Sequence, residues 1–439
     1  MDPIPPNEPR GRLESGLRHI ASHAETGAAD LARMVAVDTS FPPGNGYPAF
    51  ASLMEELLAG LDLRLQRISV PEALWFVPDG PAWGERVNLI ASRDSSRPRL
   101  GLYFHVDTVP ASPGWSGSPL TLRRDGARLI GLGTADMKGC IAATLLALRA
   151  AQACDVALAY DPVLLLCTDE EGGLYPGVRY LAEEKLLDFH VLNFNGTAAA
   201  RIWAGCFGTF NVQVRISGKT EKVAHAGDTG GAVNAIEAAL PVMNALAALR
   251  PIVAARRSNL PPPPNLQGAK LAASLSIAAA HGGTSGGQVP GRLDLLVNRR
   301  YPPEESYEDA RAEIEQAITA ALPADAKAEI TLVGHLMPTA DPSGPHWPRW
   351  QAALSQGFGY APEDFRAWGA SSCSDFGWVQ QATGRQEVLL TGLGRPESNI
   401  HAPDEHTTIA DLIALASSVL AYLAEDFAPD LIPPADRSA

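Results

Sequence analysis

Two apolar runs, each ending in polar and potentially reactive residues and joined by a stretch of helical periodicity, constrain the fold of this chain more than any other feature. The segment "RPRLGLYFHVDTVP", from Arg97 to Pro110, passes through apolar and aromatic residues and reads as a strand of about seven residues. After the glycine-punctuated "IGLGTADMKG" comes "CIAATLLALRAAQA", with Ile141, Leu145 and Leu148 at helical spacing. The run "PVLLLCTDEEGG" then supplies a second short, buried strand. Strand, helix, strand in this order is a crossover unit, which sets the two strands parallel with their C-terminal ends on one side. Open α/β sheets bind ligands at that edge. His105 and Asp107 leave the first strand there, Asp169, Glu170 and Glu171 leave the second, and Asp136 sits just before the intervening helix.

Three adjacent carboxylates at the end of a buried strand repel one another and lose hydration, so a cation or a bound proton is required nearby. Beyond Gly205 the pattern changes. "GTFNVQVRISGK" alternates like a half-exposed strand, "GGAVNAIEAALPVMNALAALR" is amphipathic, and "SNLPPPPNLQG" is a proline-rich loop. "GRLDLLVNRRYPPEE" reads as a strand, "SYEDARAEIEQAITAAL" as a helix and "AEITLVGH" as a closing strand. This α+β block, about 130 residues long, has the size of a domain of its own. The chain then resumes with glycine-rich segments and a final helix, apolar on one face, within "HAPDEHTTIADLIALASSVLAYLAEDF".

A length of 439 residues exceeds one ordinary core, so two domains built from discontinuous segments are expected. The apolar fraction of 46% and charged fraction of 19% are globular values, and no apolar run has the length of a membrane span. A formal charge of −14 without clustered basic residues argues against a nucleic-acid partner and fits an enzyme with a small-molecule substrate. The start, "MDPIPPNEPRGRLESG", has no apolar signal core; it reads as a frayed arm and the protein as cytoplasmic. Five cysteines without paired spacing disfavour a disulfide framework.

The polar residues at the strand ends form one set. Asp107, two residues after His105, can orient the imidazole by accepting from its second nitrogen. Asp136 is flanked by small residues that let a carboxylate approach closely, and Glu171 and His401 add a further carboxylate and imidazole. Such a mixed set suits Zn2+, and also Co2+ or Mn2+.

"YFHVDTVP", "GLGTADMKG", "CTDEEGG" and "SNIHAPDEH", in that order and with a domain-sized insert before the last, resemble the co-catalytic metallopeptidase family of aminoacylase, carboxypeptidase G, acetylornithine deacetylase and succinyl-diaminopimelate desuccinylase. The resemblance covers roughly residues 25–425. It implies an α/β catalytic domain with a mixed, largely parallel sheet flanked by helices, interrupted by an α+β lid domain that often dimerises. The expected division is residues 1–204 and 336–439 for the catalytic domain and 205–335 for the lid. Carried over by position, His105 would bind one metal, Asp136 would bridge two, and Glu171 with His401 would hold the other. Glu170 resembles the general base that takes a proton from the attacking water and hands it to the leaving amine, and Asp169 would anchor the turn. The implied reaction is metal-dependent hydrolysis of the amide bond of an N-acyl amino acid or small peptide, by a homodimer joined through the lid.

The chain departs from the family pattern in one place. Where a further acidic ligand is expected, the stretch "HVLNFNGTA" offers Asn193, Phe194 and Asn195. The metal partnered by His105 would keep only His105 and Asp136 unless His190, Asp188 or an asparagine carbonyl substitutes. One tightly bound ion is therefore expected, with a weaker or empty second site. A non-hydrolytic relative that binds an amino-acid-like ligand through the altered site is the alternative, and Glu170 discriminates, being useful only to a hydrolase. In the lid, "GKTEKVAHAG" resembles the phrase whose histidine stabilises the oxyanion, which nominates His225. "GGTSGGQVPGRLDLLVNRR" resembles a substrate-binding phrase, with Gln288 in place of an asparagine and Arg300 as the carboxylate clamp. Arg395, in "TGLGRPESN", is a further candidate for the substrate pocket.

Overall fold

The computed structural model describes residues 9–224, 231–266, 268–339 and 342–427. Its central sheet has six strands in the order Arg64–Ser69, Val87–Ser92, Asp161–Cys167, Arg99–His105, His190–Asn193 and Leu389–Leu390. The crossover read from the sequence is present: Arg99–His105 and Asp161–Cys167 run parallel, in register from Arg99 opposite Asp161 to His105 opposite Cys167. The helix between them is Lys138–Ala153. All seven residues of Asp161–Cys167 are buried, as a strand covered on both faces requires. That cover explains its unbroken apolar run, because neither face can be polar.

One layer, which includes Lys138–Ala153, Ala24–Val35 and Ile409–Leu423, packs Ile141, Leu145, Leu31 and Leu415 against Leu102, Leu164 and Leu192. The opposite layer packs Val178, Leu181 and Phe376 against Tyr103, Val163 and Leu165. Each large apolar side chain so buried contributes about 1.5–3 kcal/mol. Of the start expected to be a frayed arm, residues 1–8 lie outside the described residues, and the part from Pro9 departs from expectation, because Pro9–Ser22 is a helix whose Gly16 lies close against Leu420. The antiparallel strands Arg64–Ser69 and Val87–Ser92 were not legible in the sequence. The first holds only exposed and half-buried positions without strict alternation, so no apolar face reveals it.

The insert forms a second, antiparallel sheet in the order Ser274–Gly282, Arg292–Tyr301, Gly208–Ser217, Lys327–Leu336. The helices Ala235–Ala254 and Tyr307–Ala321 pack on it, the second capped by Ser306, whose hydroxyl accepts from the Asp309 amide at 3.2 Å. From Phe210 on, Gly208–Ser217 alternates buried and half-buried residues, as a sheet with one covered face requires. Ala235–Ala254 is long and apolar enough by composition to cross a membrane, but Val242, Leu246 and Val253 pack it into the second core. The insert meets the acidic loop: a Cβ on Gly334 would lie 2.4 Å from the Gly172 carbonyl oxygen, so only glycine permits that approach.

Candidate metal centre and active site

Because the parallel strands end together, the residues following them meet. The Val106 amide donates to the Cys167 carbonyl at 2.8 Å, and the Glu171 amide donates to Asp107 Oδ2 at 2.8 Å. Asp169 adopts φ +64°, a left-handed conformation unfavourable for a side chain with a Cβ. It is held there by a buried ion pair with Arg86 Nε at 2.9 Å and by the Tyr47 hydroxyl at 2.8 Å. Arg86 is therefore the cation that compensates Asp169, and Asp169 anchors the turn that presents its two neighbours.

Glu171, Asp136 and His401 come together although 230 residues separate Glu171 from His401. His401 Nε2 lies 2.9 Å from Glu171 Oε1 and 3.3 Å from Asp136 Oδ2, while His105 Nε2 lies 3.0 Å from Asp136 Oδ1. Asp136 thus stands between the two imidazoles, one carboxylate oxygen toward each. Asp136, Glu171 and His401 form one group of converging donor atoms, and His105, Glu170 and Glu171 a second. These distances suit the edges of a zinc coordination tetrahedron, about 3.3 Å for bonds of about 2.0 Å. Burial works against charge on His401, but hydrogen bonds to Asp136 and Glu171 outweigh it and raise its pKa to about 11. Burial would likewise raise Asp136, yet hydrogen bonds from His105 and His401 leave it lowered. The carboxylates thus draw protons onto the imidazoles to obtain positive charge, and a divalent cation fits the same need.

Glu170 is buried, and burial, followed by the charges of Asp375 and Glu171, raises its pKa well above the usual carboxylate range despite the nearby His105. Among the described residues no side-chain hydrogen bond occupies its carboxylate. It lines a cavity of about 500 Å³ together with Asp136, Glu171, His401, Asn195 and Arg300.

The remaining nominated residues fall in different places. Arg300 lines the cavity, donating to the Ser371 carbonyl at 3.0 Å. Asp107 differs from expectation: His105 Nδ1 meets the Asp107 backbone carbonyl at 3.0 Å, while the carboxylate Oδ1 is 3.8 Å away. The backbone turn brings the carbonyl closer, and the carboxylate is drawn instead to the Glu171 amide. Arg395 is not in the cavity lining; it forms a two-pronged ion pair with Asp411 at 2.6 and 2.9 Å, in the first turn of Ile409–Leu423. Gln288 is exposed beside Lys222 and is also absent from the lining. His225 lies outside the described residues.

At the altered position, Phe194 is buried with its ring stacked 4.9 Å from Phe104, and Asn193 Oδ1 accepts from the Asn195 amide at 2.8 Å. His190 stacks on His346, and Asp188 pairs with Arg99. Of these candidates for the missing ligand, Asn195 alone lines the cavity.

Two further groups escaped sequence reasoning. Glu405, 2% exposed, accepts from the Gly133 amide at 2.9 Å through Oε2, and from the Ala135 and Asp136 amides at 2.9 and 3.0 Å through Oε1. It holds the loop that carries Asp136. Asp375 accepts from the Tyr103 hydroxyl, and burial raises its pKa to about 7. Glu405 lies inside "HAPDEH", four residues past His401, so proximity to a nominated ligand was its only sequence signal.

The profile of peptidase family M20/M25/M40 matches residues 101–426. The succinyl-diaminopimelate desuccinylase of Stenotrophomonas maltophilia (strain R551-3) is 30% identical over 345 residues, covering 76% of this chain and 85% of the relative. The acetylornithine deacetylase of Edwardsiella ictaluri (strain 93-146) is 27% identical over 384 residues, covering 86% and 90%. Among solved structures, the di-peptidase Dug1p of Saccharomyces cerevisiae superposes with a TM-score of 0.75 at 17% identity, over 93% of this chain and 97% of that one.

Proposed function

We propose, from the premise that this chain belongs to peptidase family M20/M25/M40, that the converging carboxylates and imidazoles are its catalytic centre. The protein is a metal-dependent hydrolase that cleaves the amide bond of an N-acyl amino acid or small peptide. Asp136, Glu171 and His401 hold the tightly bound divalent ion, zinc or in its place cobalt or manganese, and His105 with Asp136 forms a weaker second site. When bound, the ion supplies a Lewis acid for the amide carbonyl and lowers the pKa of the attacking water. Glu170, buried and free of side-chain hydrogen bonds, takes the proton released by that water and delivers it to the amide nitrogen, so that the amine leaves neutral. Arg300 pairs with the carboxylate next to the scissile bond. Burial of Glu170 makes it a strong enough base to accept a proton and, once protonated, an acid matched to the departing nitrogen.

The single observation that carries this reading is Glu170, which converges with His105 and Glu171 beside the group of Asp136, Glu171 and His401 but has, among the described residues, no side-chain hydrogen bond to any of them. The domain division at residues 205 and 335 and a homodimer joined through the lid belong to the same proposal. Support for the dimer comes from Ile236, Leu240 and Ile252, which remain 37%, 54% and 58% exposed on the lid helix. His225 and Gln288 are then assigned to an active site completed by the second copy. The five cysteines are all free, in keeping with a reducing, cytoplasmic setting. Turnover of a panel of N-acyl amino acids with added zinc, cobalt or manganese tests the activity, with Glu170→Gln as control. Amide cleavage that falls at least about 100-fold in the variant is expected; no cleavage with any metal would end the hydrolase reading.

A further inference from the structure

Arg201 is 7% exposed, yet among the described residues no carboxylate pairs with it. Its Nε and Nη2 both donate to the Trp368 carbonyl, at 3.2 and 3.1 Å, and its guanidinium lies over the rings of Trp203 and Trp368 at 4.3 and 5.2 Å. One carbonyl and two indole faces hold the group in place but do not neutralise it. Burial lowers its pKa to about 10, a sign that its positive charge is poorly compensated. A buried cation without a counter-ion is costly, and such groups are retained where a ligand supplies the missing charge.

Arg201 lines the same 500 Å³ cavity as Glu170, Glu171 and His401, and so does Trp203, whose buried indole Nε1 has no hydrogen-bond partner. Arg300 lines it too, bonded to a carbonyl and a thiol but, among the described residues, to no carboxylate. The two arginines come from different sheets: Arg201 opens the strand Arg201–Cys206, and Arg300 lies near the end of the lid strand Arg292–Tyr301. The two guanidiniums bring two positive charges to one cavity, and a single carboxylate next to the scissile amide balances only one of them. We infer that the substrate is dianionic, with Arg201 and the Trp203 indole receiving a second carboxylate while Arg300 holds the one adjacent to the amide. This rests on the hydrolase reading above and narrows it to N-acyl amino acids or dipeptides with an additional acidic group, on either the acyl or the amino-acid side.

Matched pairs test it and locate the second acid. N-acetyl-L-glutamate against N-acetyl-L-glutamine probes the amino-acid side, and N-succinyl-L-alanine against N-butyryl-L-alanine the acyl side. In the wild type the acidic member of one pair is expected to exceed its neutral partner in kcat/KM by at least about 10-fold, mainly through KM. Arg201→Met should bring that ratio to within about threefold of one, whatever the absolute rates, and Arg201→Lys should keep most of the preference. Calorimetric titration of the same four compounds into the Glu170→Gln protein reads the preference without turnover. If Arg201→Met does not fold, the Lys variant and the wild-type ratios still decide. Equal treatment of acidic and neutral members in both pairs, or a preference untouched by Arg201→Met, overturns the inference. Charge-dependent binding that requires Arg201, with no amide cleaved, would leave it standing and count against the hydrolase reading alone.

Discussion

Replacing Glu405 by glutamine changes no ligand and almost no volume, yet should weaken metal binding. Its two carboxylate oxygens accept from the Gly133, Ala135 and Asp136 amides at 2.9, 2.9 and 3.0 Å, in a site 2% exposed. A glutamine carbonyl can keep the Ala135 and Asp136 bonds, but its NH2 group then faces the Gly133 amide, donor against donor. One charge-assisted bond, worth about 1.5–3 kcal/mol, is lost, and a buried N–H is orphaned at about 1–3 kcal/mol. The sum is about 2.5–6 kcal/mol, shared between global stability and distortion of the loop. Gly133 has little room to relax, because its φ of +78° places it in a tight turn against Thr108 and Lys138. The share falling on the loop displaces Asp136, so zinc affinity should drop about 10- to 100-fold, as for other groups that orient a metal ligand. Competition with a chromogenic chelator measures the affinity, and differential scanning calorimetry with and without zinc measures stability. Unchanged zinc affinity together with an unchanged melting temperature would refute the positioning role of Glu405.

Three further outcomes follow from individual contacts. Removing one member of the buried Arg86–Asp169 pair, in Arg86→Met or Asp169→Leu, should cost about 3–5 kcal/mol, and the double variant clearly less than the sum; additive losses in urea denaturation would show the charges to be uncoupled. His335 is kept neutral by burial, which lowers its pKa to about 4, and its Nε2 lies within hydrogen-bond distance of the Tyr301 hydroxyl, at 2.8 Å. With the folded value below the unfolded one, the stability it contributes is present above pH ~6.5 and is lost as pH falls toward ~4. His335→Gln should therefore gain about 2–3 kcal/mol relative to wild type between pH 7.5 and pH 4.5, and a pH-independent difference would contradict the assignment. Asn195→Glu restores an acid at the wall of the cavity that Asp136 also lines, so metal retained through desalting should rise from about one equivalent toward two; retention of two by the wild type would show that Asn195 or another group already serves.

Much of this arrangement was legible because parallel strands bury both faces. The runs ending at His105 and Cys167 have no alternation to misread, and the crossover rule places their ends together. That alone brought His105, Asp107 and the acidic triplet to one edge. Convergence of His401 on Glu171 was not readable from periodicity, because it depends on chain that returns after the lid; His401 entered the set as a candidate imidazole, and the family resemblance paired it with Glu171. Arg395 shows the opposite failure: a guanidinium in a glycine-rich loop resembles a substrate clamp, but Asp411, sixteen residues on, claims it. Glu405 and Arg201 were invisible for a common reason. Their roles lie in what surrounds them, three backbone amides in one case and the lack of a carboxylate in the other, and neither leaves a pattern in the order of residues. The strand Ser274–Gly282 was missed because its alanine-rich, largely exposed run carries little apolar contrast.

The central claim is that one divalent cation is held by Asp136, Glu171 and His401, with Glu170 beside it and uncoordinated. Anomalous diffraction at the zinc edge, from crystals of protein loaded with one equivalent of zinc, tests this directly. A single strong peak is expected within bonding distance of those three side chains, with both Glu170 oxygens beyond it. A peak ligated by Glu170, or one away from Asp136, Glu171 and His401, would contradict it.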